Sequence, residues 1–107
     1  MKIGILLPYK ENFSPQYPGA VSLFVNETSK RSLYKKDIVV FGATNYKKKF
    51  SLKYVNIQSK KNPFESQTKL YVNEFVKLQN LYKFSIIEIH NRPSYINILS
   101  KKIKNKV

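Results

Sequence analysis

Three short apolar runs constrain the fold of this chain more than any other feature: KIGILL at 2–7, IVVF at 38–41 closed by Gly42, and FSIIEI at 84–89. Each has the length of a strand, and continuous rather than alternating apolar character suits a parallel sheet covered on both faces. The stretches between them carry helical periodicity. In Ala20 to Arg31, Val21, Phe24, Val25 and Thr28 follow i, i+3, i+4, i+7, so that face is expected inward, with Lys30 and Arg31 at the helix's carboxyl end. Tyr71, Phe75, Leu78 and Tyr82 form one stripe of a longer helix between Phe64 and Tyr82. A third helix from Pro93 to Ile103 would turn Ile96, Leu99 and Ile103 to the core. KYVNI at 53–57 alternates and reads as an edge strand, with the lysines at 47–49 in a solvated turn before it.

The resulting order, β-α-β-β-α-β-α, predicts a single α/β domain. Its sheet is expected to be Rossmann-like, doubly wound and mainly parallel, because strands alternating with helices cross over with one hand. A further strand would naturally follow the last helix, so the unit is expected to be incomplete at Val107.

Composition narrows the chemistry. A chain with 42% hydrophobic and 14% aromatic residues can bury enough surface to fold, which argues against disorder. The absence of cysteine excludes disulfides and thiolate metal sites, and one histidine among six scattered carboxylates argues against a zinc site; no metal or organic cofactor is expected. The amino-terminal run is cut by Pro8, so it reads as a strand rather than a signal peptide. Because every apolar run is also too short to span a bilayer, a cytoplasmic protein is expected, soluble or peripheral on the membrane.

The net charge of +14 rests on 18 lysines and only two arginines. Base-specific readers favour arginine for bidentate contacts, whereas lysine acts as a point charge. With no RNA-recognition, KH or zinc signature, and with most aromatics at core-facing positions, a nucleic-acid partner is disfavoured but remains an alternative. Lys101, Lys102, Lys104 and Lys106 form a basic end that reads either as a solvated face or as a contact for an anionic membrane.

Candidate functional residues lie where open α/β sheets place ligands, at the carboxyl ends of strands. His90, the chain's only histidine, ends the last strand beside Asn91 and Arg92. His90 suits proton transfer or hydrogen bonding to a sugar hydroxyl, Arg92 suits phosphate or carboxylate, and Asn91 can orient either. A purely structural reading stands beside this one, with Asn91 as helix N-cap and Pro93 in the first turn. Glu88, two residues earlier, should share the side of His90. After the first strand, Pro18-Gly19-Ala20 is either a plain helix start or an anion cradle; no GxGxxG or GxxxxGK[ST] accompanies it.

Together, MKIGILLPY, the turn PGAV and the run FSIIEIHNRPSYINIL resemble the N-terminal Rossmann-like domain of GT-B glycosyltransferases of the family 4 type, over nearly the whole chain in element order. The resemblance implies metal-free, retaining transfer of a sugar from a nucleotide-sugar to a glycan or lipid-linked acceptor in cell-envelope polysaccharide synthesis. By the same resemblance Gly19 and Ala20 approach the donor, and His90, Asn91 and Arg92 line the acceptor side; among them His90 is the expected catalytic residue. Such enzymes often carry a Gly-Gly pair where this chain has Gly19-Ala20, and their C-terminal nucleotide-binding domain has no counterpart in these 107 residues. The fragment alone is therefore expected to be inactive, and a non-catalytic Rossmann-like module is the alternative.

Overall fold

A computed structural model of the chain describes residues 2–44, 49–58, 64–90 and 92–102. Four strands, β1 (Ile3–Leu6), β2 (Ile38–Gly42), β3 (Tyr54–Asn56) and β4 (Ile86–Ile89), form one sheet. Three helices, α1 (Ala20–Lys30), α2 (Gln67–Tyr82) and α3 (Pro93–Lys102), connect and follow them. The spatial order is β3-β2-β1-β4 and every pairing is parallel. The fold is thus α/β on an all-parallel sheet. Residues Asn91, Lys47, Lys48, Ile103, Lys104 and Lys106 lie outside the described residues, as do the side chains of Lys101 and Lys102.

The alternation of strand side chains sorts the core into two clusters. Leu6, Phe41 and Ile87 pack with Tyr71, Val72 and Phe75 of α2 and Tyr95 and Leu99 of α3. Ile5, Leu7, Ile38 and Val40 pack with Val25 of α1 and with Phe13 and Leu52 of the loops. The continuous apolar runs of β1 and β2 are explained by this two-sided cover. β4 departs from the expected buried run, because Ile86 and Glu88 are exposed. Glu88 pairs with Ile5 and so shares the α1 face, and at this sheet edge α1 leaves alternate residues of β4 uncovered.

The α2 stripe is as the spacing predicts: Tyr71 and Phe75 are fully buried, with Leu78 and Tyr82 packed against them. Ser66 starts this helix by accepting the Lys69 N–H at 3.1 Å, and Lys83 ends it in the left-handed conformation (φ 56°). Buried Gln79 then accepts the Phe84 N–H at 3.0 Å, which seats the Phe84 ring against the bare Cα of Gly4. The run at 84–89 therefore begins as a packed connection, and only residues 86–89 pair as strand.

Two helix faces differ from expectation. On α1 the buried residues are Ser22, Val25, Asn26 and Ser29, while Phe24 is 58% exposed and Thr28 is exposed. Val21 and Val25 meet the core as the spacing predicts, but the small polar Ser22, Asn26 and Ser29 share that side in place of Phe24 and Thr28, so the hydrophobic period alone rotates the helix face partly off the sheet. On α3, Leu99 is buried as expected, but its partner is Tyr95 one turn earlier, and Ile96 is 46% exposed.

Candidate functional site

The strand order fixes where the sheet can bind. β2 and then β3 extend from one edge of β1, whereas β4 adds to the other, so β1 and β4 flank the point where the order reverses. Open α/β sheets bind ligands in the crevice outside the carboxyl ends of such strands. Here that crevice receives the loop leaving β1 and, after β4, His90 and Arg92.

The β1 loop is firmly held. As the chain leaves the sheet, the Tyr71 hydroxyl donates to the Leu7 carbonyl at 2.7 Å, and two residues later the Tyr9 N–H donates to the Tyr95 hydroxyl at 3.0 Å. Burial pushes the Tyr71 phenol well above its ordinary value, with Tyr95 and Tyr54 adding to the rise. Tyr71 is therefore a neutral donor at any ordinary pH. Further along, Phe13 is fully buried and stacks on Tyr54 (centroids 5.4 Å apart, planes at 10°), and the Thr44 hydroxyl donates to Asn12 Oδ1 at 2.9 Å. Burial likewise raises the Tyr54 phenol. Lys10 and Tyr17 adopt positive φ (66° and 49°), so this path turns sharply without glycine.

At the end of the loop, Gly19 is the residue before α1 and Ala20 its first helical residue. Gly19 has φ −72° and ψ 161°, which any residue can adopt. Its need for glycine is instead one of space, because a Cβ there would collide with the Glu11 carboxylate. Glu11 Oε2 accepts the Ser22 N–H at 3.1 Å, so the first turn of α1 is capped by the chain's own carboxylate. Of the two readings of this turn, helix start or anion cradle, the contact seen is internal: the first turn of α1 holds the chain's own Glu11 carboxylate. No local pattern announces this, since the partners are eleven residues apart and the S/T-x-x-E signature is absent.

His90 sits across the reversal point. Its side chain is 19% exposed and its ring lies edge-on to Phe24 of α1, with centroids 6.0 Å apart. Nε2 is 3.9 Å from Glu88 Oε2, too long for a hydrogen bond, and among the described residues it has no hydrogen-bond partner. Glu88 thus shares the side of His90, and it is exposed enough to remain solvated. Nε2 is itself buried, so a ligand group meets it only once the ring turns outward. Phe24, expected in the core, instead links the α1 side of the crevice to His90.

Arg92 is exposed, and its carbonyl accepts the Tyr95 N–H at 3.0 Å. Because α3 begins at Pro93, Arg92 holds the position immediately before the helix. Gly19, Ala20, His90 and Arg92 therefore share one end of the sheet, with Phe24 as the observed bridge between α1 and His90. Asn91 lies outside the described residues. Among the described residues no group of three or more metal-ligating side chains gathers, and no helix is long and apolar enough to cross a membrane. Comparison with family models, curated proteins and solved structures finds no match for this chain.

Proposed function

We propose that this chain is the acceptor-side, Rossmann-like, doubly wound unit of a GT-B glycosyltransferase, taking part in sugar transfer from a nucleotide-sugar to a glycan or lipid-linked acceptor in the cell envelope. The observation that carries the reading is the reversal of strand order at β1, which sets His90 and the β1 loop at the same carboxyl end of the sheet. His90, with Glu88 at 3.9 Å, is the group for proton transfer or for hydrogen bonding a sugar hydroxyl. Arg92 and Asn91 would hold the acceptor. Gly19 and Ala20 would face the donor phosphates, which requires Glu11 to yield its place at the α1 amino terminus. The work would be done at the cytoplasmic membrane face.

The filled cradle favours a second reading, a non-catalytic Rossmann-like module, because a helix that supplies its own anion has no need of a ligand's phosphate. Retention of the chain on immobilised short glycans separates the two. The transferase reading expects retention that His90→Ala and Arg92→Ala each weaken. Retention that ignores both substitutions, or none on any glycan, would favour the module.

A further inference from the structure

The opposite end of the sheet carries a feature that the proposed transferase site does not use. A cavity of about 540 Å³ opens where the strands begin, within the range of roughly 300–1,000 Å³ typical of small-molecule sites. Lys2 precedes β1, Lys36 precedes β2 and Lys53 precedes β3, so three lysines from separate elements converge on it. Lys53 is held in place, its Nζ donating to the Lys36 carbonyl at 3.2 Å. Among the described residues neither Lys2 nor Lys36 enters an ion pair. One acid, Asp37, also lines the cavity and leaves the lysines in excess.

The floor is apolar. Val39, Val55, Tyr82 and Phe84 line it, and the Tyr82 and Phe84 rings stack with centroids 5.2 Å apart and planes at 8°. Phe84 is fixed from behind by Gly4 and Gln79, whereas Tyr82 is half-buried. Lysines around the rim with an aromatic floor match a ligand that carries both phosphate and a flat apolar body, since ammonium groups bind phosphate as point charges and rings stack on bases.

We infer that this cavity at the amino-terminal edge of the sheet, lined by Lys2, Lys36, Lys53 and Tyr82, binds a phosphorylated aromatic small molecule of the mononucleotide class. The site is separate from His90, at the far end of β4, and does not depend on the transferase reading. It gives part of the lysine excess a defined use at one place on the surface.

Equilibrium titration of the full chain with AMP, with adenosine and with inorganic phosphate tests this, with amide NMR shifts locating the bound probe. AMP should bind more tightly than either half alone, weaken as salt rises, and shift the amides of Val39, Val55 and Tyr82. Lys2→Ala with Lys36→Ala should weaken AMP by at least about tenfold, a loss of ionic contacts alone, while His90→Ala leaves it unchanged. Equal affinity for adenosine and AMP would overturn the inference, and so would equal affinity for phosphate and AMP. Shifts clustered at Ser22 and His90, or no AMP binding at millimolar concentration, would overturn it as well.

Discussion

Replacing Tyr71 by phenylalanine removes one oxygen atom and tests how the site loop is held. The Tyr71 side chain is fully buried, and its hydroxyl donates at 2.7 Å to the Leu7 carbonyl, where β1 ends and the loop begins. The weaker approach to the Phe41 carbonyl, at 3.4 Å, adds little. Phenylalanine keeps the ring packing and leaves a buried acceptor short of a donor, which costs about 1–3 kcal/mol. For a domain of this size each kcal/mol lowers Tm by about 4–8 °C.

The same hydroxyl gives the substitution a pH signature. Burial raises the folded phenol above the ordinary 10.0, so Tyr71 contributes stability that is whole below pH 10 and is lost as pH climbs toward the folded value. Above pH 10 the unfolded chain ionises while the folded one does not, and wild type loses about 1.4 kcal/mol per pH unit from this group. The phenylalanine variant has no such loss. The stability gap between wild type and Tyr71→Phe, taken from urea unfolding at each pH, should be constant from pH 6 to 9 and then close as pH rises, the lysine titrations cancelling in the difference. A gap below about 0.5 kcal/mol at pH 7, or one that stays constant through pH 11, would refute the buried hydrogen bond.

Other substitutions probe the cap and the sheet. Glu11→Ala uncaps α1 and should cost about 0.5–2 kcal/mol in urea unfolding, with Glu11→Gln between it and wild type. Gly19→Ala drives a methyl into the Glu11 carboxylate, so the double variant Gly19→Ala with Glu11→Ala should lie close to Glu11→Ala alone; simple additivity would show that the two sites do not touch. Gly4→Ala places a Cβ 2.6 Å from the Phe84 ring, which is locked between Gly4, Phe41 and Tyr82, and should cost about 1–3 kcal/mol, read from the thermal midpoint.

The legible parts of this fold are those where one physical rule acts alone. β1 and β2 are buried on both faces, so their sequences are continuous apolar runs, and α2 lays one long stripe on the core. The misread parts are compromises. Ser22, Asn26 and Ser29 are buried on α1 although the helix's larger apolar residues, Leu23 and Phe24, are exposed. β4 lies at a sheet edge, where only alternate residues need be apolar, so its Ile86 gives no warning of exposure. At the site, the strand end and its histidine could be read from sequence. Glu11 could not, because a carboxylate that caps a helix from eleven residues upstream follows the path of a loop, which depends on Tyr71, Tyr95, Tyr54 and Thr44 all reaching it from elsewhere.

The single histidine permits a direct test of the proposed site, since its imidazole Cε1 proton gives one unambiguous NMR signal. With the chain titrated by a panel of short oligosaccharides and by UDP-glucose, the transferase account predicts a saturable shift of the His90 signal with at least one glycan, together with shifts of the Phe24 ring. A His90 signal that stays fixed under every glycan, while the chain remains folded, would contradict it.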